Sequence, residues 1–117
     1  MGKQELHCYR RVSTKSQETK GNSLTTQLEL GKSVSKKLSL KFIDRNEGSR
    51  SSTIGYREVL EQLKEDISNG TVKHIWCQDR SRMYRDTERS MYFRKNYLQK
   101  YDVKLYEGDD GREVIFD

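Results

Sequence analysis

The chain has 117 residues, enough for one compact domain. Only 32% of it is hydrophobic against 35% charged, with no proline and no alanine, and no apolar run approaches the roughly 18 residues of a membrane span. The polar N-terminal segment lacks the apolar core of a signal peptide, and two cysteines, Cys8 and Cys77, are too few for a secreted disulfide scaffold. These features point to reduced thiols in a cytosolic protein. Lys and Arg number 23 and Asp and Glu 18, so the net charge is +5, which permits binding to a phosphate polymer without requiring it.

In chain order, β-branched and aromatic residues predict a first strand over Glu5 to Val12. Leu24, Leu28, Val34 and Leu38 carry helical spacing, with Asn22 or Ser23 as the N-cap. A second strand is predicted over Leu40 to Asp44, followed by a Gly/Ser loop, Gly48 to Gly55, read as mobile. Arg57 then opens a second helix marked by Val59, Leu60, Leu63 and Ile67 and closed by Asn69-Gly70. A third strand spans Val72 to Cys77. The third helix follows the cluster Asp79 to Thr87, and its Met91, Tyr92, Phe93 and Tyr97 are assigned to the core rather than to a base-stacking platform. A fourth strand, Val103 to Tyr106, and a short last strand, Glu113 to Phe116, flank the turn at Asp109-Asp110-Gly111.

This alternation predicts an α/β fold: an open, mostly parallel four-stranded sheet flanked by helices, with a short additional C-terminal strand. Right-handed crossovers bring every carboxyl end of a parallel strand to one edge, where such sheets bind ligands. Four polar clusters are thereby expected together: Ser13-Thr14, Asp44-Arg45, Asp79 to Arg85, and Glu107 to Asp110.

Ser13 stands directly beyond the first strand, two residues after Arg11. Arg82, Arg85 and Arg89 are three and four apart and are expected on one helical face. His7 and His74 fall early in their strands, away from this edge, so a Ser-His-Asp triad has no base. Adjacent His7 and Cys8 would point to opposite faces of a strand, which disfavours a shared zinc ion. Several arginines around a hydroxyl suit a phosphoryl centre, because planar guanidiniums pair bidentately with phosphate oxygens. No Gly-rich loop ends in Gly-Lys-Ser/Thr, so no nucleotide site is expected.

Tyr9 to Thr14 with Gln17, Ser23-Leu24 with Gln27, Phe42-Ile43-Asp44, the Gly/Ser loop, Arg57 with Val59-Leu60, Ser81 to Thr87, and Val103 to Tyr106 before Asp109-Asp110-Gly111 form one ordered series. The series resembles the catalytic domain of the serine recombinase (resolvase/invertase) family over nearly the whole chain. The resemblance implies that Ser13 attacks DNA to give a 5′-phosphoserine bond, with Arg11, Arg57, Arg82 and Arg85 around the phosphate. Gln17, Asp44, Asp79 and Ser81 are candidate supporting residues, and Arg10 and Arg89 candidate DNA contacts. It also implies double-stranded DNA as partner, no metal or nucleotide cofactor, and a homodimer or tetramer in a longer protein, cytoplasmic and nucleoid-associated or encoded by a phage or mobile element.

Residues 1–117 thus read as a catalytic domain whose dimerisation helix and DNA-binding domain are expected elsewhere in that longer protein. The long segment between Ser13 and Ser23 is similar to that of large serine recombinases and favours an integrase or transposon enzyme. Many family members carry Asp where Ser81 stands here, with Asp79 two residues earlier. A non-catalytic DNA-binding or regulatory module with a degenerate site is therefore the alternative.

Overall fold

Five segments, Glu5–Val12 (β1), Lys41–Ser49 (β2), His74–Cys77 (β3), Lys104–Glu107 (β4) and Arg112–Glu113 (β5), join in one sheet of order β2-β1-β3-β4-β5. The computed structural model describes residues 4–12, 23–49 and 57–115. The first four strands are parallel, as the alternation of elements predicts, and the short β5 pairs antiparallel with β4. Helices Leu24–Lys37 (α1), Glu58–Ser68 (α2) and Thr87–Phe93 (α3) are the crossovers, and α3 runs on into a π-helical stretch, Arg94–Gln99.

Helices cover both faces of β1, so it is buried without alternation from Leu6 to Val12, with His7, Arg10 and Arg11 buried alongside its apolar residues. Period-two geometry sends Leu6 and Cys8 toward α1, where they pack with Val34 and Trp76. Tyr9 faces the opposite layer, with Leu60, Leu63 and Ile67 of α2 and Leu98 beyond α3. Both cysteines are free and buried; burial pushes the Cys8 thiol up to about 12 and raises that of Cys77, so both remain neutral packing residues.

Local signals set several boundaries. Ser23 caps α1 by accepting from Thr26 N at 3.0 Å, and Asn69-Gly70 ends α2, with Gly70 at φ 80°. Three expectations are corrected. β2 does not end at Asp44 but continues through Arg45, Asn46 and Glu47, because the parallel ladder with β1 pairs Tyr9 with Arg45 and Arg10 with Asn46. Asp44 is thus a mid-strand residue. The arginines 82, 85 and 89 do not share a helical face. Asp79 caps a separate 3-10 turn, Arg80–Arg82, and Asp86 starts α3 afresh by accepting from Arg89 N at 3.1 Å. Finally, Phe93 is buried and Tyr97 half-buried, but Met91 and Tyr92 are 50% and 62% exposed and lie outside the core.

The turn between β4 and β5 leans on α1. Gly111 has φ 65°, and a Cβ built there would lie 2.5 Å from Val34 Cγ1. Lys37 Nζ donates to Asp110 O of the same turn at 2.9 Å. Gly111→Ala combines left-handed strain with overpacking, and it should lower stability by about 1–3 kcal/mol. A lower urea midpoint at unchanged denaturant slope is the expected result; an unchanged midpoint would show that this turn does not bear on α1.

Candidate active site at the carboxyl edge of the sheet

The site grows out of the end of β1. Arg11 is fully buried, and it lies beyond the short β1–β3 pairing at His7 and Cys8, so its backbone needs another partner. Gln27 of α1 supplies it: Arg11 N donates to Gln27 Oε1 at 3.1 Å and Gln27 Nε2 donates to Arg11 O at 3.0 Å. The Arg11 side chain crosses toward the loop after β3, where Nε donates to Arg82 O at 2.6 Å and Nη2 to Ser81 O at 2.8 Å.

Arg57 reaches the same loop from the start of α2 and shares the Arg82 carbonyl with Arg11. Its Nη1 donates to Arg82 O at 3.1 Å and its Nη2 to Met83 O, while its guanidinium carbon lies 5.3 Å from the Tyr84 ring centroid. Arg82 is itself buried, with Nε 3.5 Å from Asp79 Oδ2, outside hydrogen-bond geometry, so this N–H has no acceptor among the described residues. Burial, then the charges of Arg57, Arg82 and Arg85, lowers the Arg11 pKa to about 10. Three buried guanidiniums thus share one short loop, two of them anchored on its carbonyl oxygens. Charge that close together favours an incoming anion.

Two carboxylates set that loop. Asp79 Oδ1 accepts from Ser81 N at 3.0 Å and from the Ser81 hydroxyl. Glu107, at the end of β4, accepts from Arg80 N at 2.8 Å and Arg80 Nε at 3.1 Å, and Arg112 Nη2 of β5 lies 3.5 Å away. Sequence reading placed Glu107 at this edge without a role, and it missed Glu47 altogether. Glu47 carries no spacing signal, since its importance comes from β2 continuing past Asp44.

The remaining candidates divide. Arg10 points to the α1 face, away from Arg11, and is 6% exposed; its Nε and Nη2 donate to Asp44 Oδ1 and Oδ2 at 2.7 and 2.6 Å, and Nη1 to Leu24 O at 2.9 Å. Asp44 therefore meets Arg10, not the arginine cluster. Arg85 is exposed near enough to act on Arg11, and Arg89 is exposed with Nε 3.4 Å from Asp86 Oδ2. Ser13, Thr14 and Gln17, and most of the Gly/Ser loop, lie outside the described residues. His7 and Cys8 lie on opposite faces of β1, and His7 Nδ1 accepts from Arg45 Nε at 3.1 Å. Among the described residues no three His, Cys, Asp or Glu side chains gather as a metal site, and no helix is long and apolar enough to cross a membrane.

Residues 6–115 match the family described as "Resolvase, N terminal domain", so the chain belongs to that family. A Bacillus subtilis (strain 168) protein named "Putative DNA recombinase" is 38% identical over 78 residues, which cover 66% of this chain and 15% of that protein. The chain thus spans a small part of that curated relative's length. The fold is similar to the N-terminal catalytic domain of TP901-1 integrase, with TM-score 0.82 at 19% identity over 94% of this chain and 82% of that one. It is also similar to the C-terminal catalytic domain of ISC1926 TnpA, an IS607-like serine recombinase, with TM-score 0.72 and 17% identity over 86% and 67% of the two chains. A resolvase family site-specific recombinase from Streptococcus pneumoniae gives 0.71 and 22% over 98% and 78%.

The Arg10–Asp44 pair makes a separable prediction. Asp44→Asn should cost about 1–2 kcal/mol, the low end for a charge-assisted pair because Asp44 is partly exposed. The affinity of the chain for inorganic phosphate, as a probe of the arginine cluster, should be the same with and without the substitution. Loss of phosphate binding in a folded Asp44→Asn protein would place Asp44 in the site after all.

Proposed function

We propose that this chain is the catalytic domain of a site-specific serine recombinase that cuts and rejoins double-stranded DNA within a longer protein. The observation that carries the reading is the convergence of Arg11, Arg57 and Arg82 on one loop at the sheet's carboxyl edge, with Ser13 only two residues beyond Arg11. Family membership supports the reaction class.

In this reading the Ser13 hydroxyl oxygen attacks a backbone phosphorus and loses its proton. A new serine–phosphorus ester forms, the bond to the 3′ oxygen breaks, and that oxygen leaves as a 3′-hydroxyl after taking up a proton. Rejoining runs the same step backwards from a 3′-hydroxyl. The phosphoester is exchanged rather than hydrolysed, so the step needs no nucleotide hydrolysis. The guanidiniums hold the non-bridging oxygens and stabilise the charge that builds on them. Asp79 lies near Arg82 from two positions before Ser81, which supports a working site over a degenerate one. Exchange between two duplexes calls for a dimer or tetramer of the longer protein.

With the complete gene product and DNA carrying its recombination site, a 5′-linked protein–DNA adduct should be trapped. Ser13→Ala should abolish the adduct while DNA binding persists; adduct at normal yield would reassign the nucleophile. Lysine at Arg11, Arg57, Arg82 or Arg85 keeps the charge but loses the planar fork. Each such variant should cleave roughly a hundred- to a thousandfold more slowly, the usual loss for one transition-state donor. Single-turnover rates within tenfold of the unaltered protein for all four would remove these arginines from the phosphate.

A further inference from the structure

Arg57 occupies an unusual place for a phosphate-binding residue. It is the N-cap of α2, with φ −126° and ψ 109°, and its side chain makes no capping hydrogen bond. An N-cap is ordinarily Ser, Thr, Asp or Asn, whose short side chain accepts from the second or third amide of the helix. Here the guanidinium runs the other way, into the site, and leaves those amides to another group.

Glu47 is that group. Its Oε2 accepts from Val59 N at 3.0 Å and its Oε1 from Leu60 N at 3.0 Å, the second and third amides of α2. The carboxylate sits where the helix dipole favours negative charge. The Tyr9 hydroxyl donates to Oε1 at 2.8 Å, and burial keeps that phenol protonated. Glu47 is itself 7% exposed. It lies at the irregularity in the β1–β2 ladder, where Arg10 pairs with Asn46 but Arg11 pairs with Gly48, at φ 77°. One carboxylate therefore joins the face of β1 that carries Tyr9 and Arg11 to the first turn of α2.

We infer that Glu47 is a positioning residue for phosphate binding: it caps α2 in place of residue 57, and so holds the Arg57 guanidinium beside Arg11 and Arg82. This inference rests on the reading of Arg57 as a phosphate ligand. A carboxylate is needed because both of its oxygens accept. A glutamine would keep the shape and one acceptor but turn an NH₂ donor toward an amide donor.

The test is a titration of the 117-residue chain with inorganic phosphate, followed through arginine Nε–Hε NMR signals and repeated for Glu47→Gln, Arg57→Ala and the double variant. In the unaltered chain the Arg57 signal should be dispersed and should shift with phosphate. Glu47→Gln should move that signal toward its unstructured position and weaken phosphate binding about fivefold, the equilibrium equivalent of one helix cap. In the Arg57→Ala background it should have no further effect on phosphate binding, because a residue that acts through Arg57 has nothing left to position. An unchanged Arg57 signal in Glu47→Gln, or an equal weakening without Arg57, would overturn the inference. Should phosphate fail to bind the unaltered chain, the phosphate-site reading falls, and the Arg57 signal alone decides whether Glu47 holds the guanidinium. If Glu47→Gln does not fold, Tyr9→Phe removes only the hydroxyl donated to Oε1. It should displace the Arg57 signal in the same direction by less, and no displacement would count against the inference.

Discussion

Like charges buried side by side are the constraint around which the domain is arranged. Arg11, Arg57 and Arg82 are each at most 5% exposed, at the end of one sheet, where they repel one another and cannot all recruit water. Turned carbonyl oxygens provide the compensation. The 3-10 turn at Arg80–Arg82 aims the carbonyls of Ser81 and Arg82, and then that of Met83, at the guanidiniums of Arg11 and Arg57. Carbonyl dipoles solvate Arg11 and Arg57 without neutralising them, while Asp79 lies 3.5 Å from Arg82, so one carboxylate faces three guanidiniums and the cluster stays net positive.

Everything around that turn holds it in place. Asp79 caps it from within, Glu107 clamps Arg80 from the end of β4, and Gln27 completes the backbone of Arg11 where β3 has already diverged. Arg112 of β5 approaches Glu107 from the far side, so the last strand is tied to the same loop. Four chain segments distant in sequence thus meet at this turn, through hydrogen bonds to main-chain groups and through the ion pairs of Glu107 with Arg80 and Arg112, while Arg11 and Arg57 are held by carbonyl oxygens.

The two faces of β1 have separate duties. Toward α1, Arg10 is spent on Asp44 and Leu24, a link that fastens β1, β2 and the first turn of α1. Toward α2, Tyr9 and Arg11 face Glu47 and the arginine loop. Adjacent arginines therefore differ in role because a strand turns alternate side chains to opposite sides. The similarity to recombinase catalytic domains at 17–22% identity is a similarity of fold, and the arginine site stands on this chain's own geometry.

The order of elements, the mostly parallel sheet and the edge where polar residues gather were legible in the sequence, because strand and helix periodicities and the caps at Ser23 and Asn69-Gly70 are local signals. Arg11 and Arg57 lie at or next to the ends of predicted elements and Arg82 in the polar cluster after the third strand, and the family resemblance is what grouped them around one phosphate. The roles of Glu47, Glu107 and Asp44 were decided by tertiary structure. β2 runs on past its apolar residues because a neighbouring strand supplies the ladder, and no window of sequence contains that neighbour. The common helical face expected for Arg82, Arg85 and Arg89 failed because spacing presumes one continuous helix, whereas Asp79 and Asp86 start two separate ones. Sequence alone set the order of elements and which charged clusters fall between them; pairing between strands and the capping of short turns decided which of those charges lie mid-strand and which face one another.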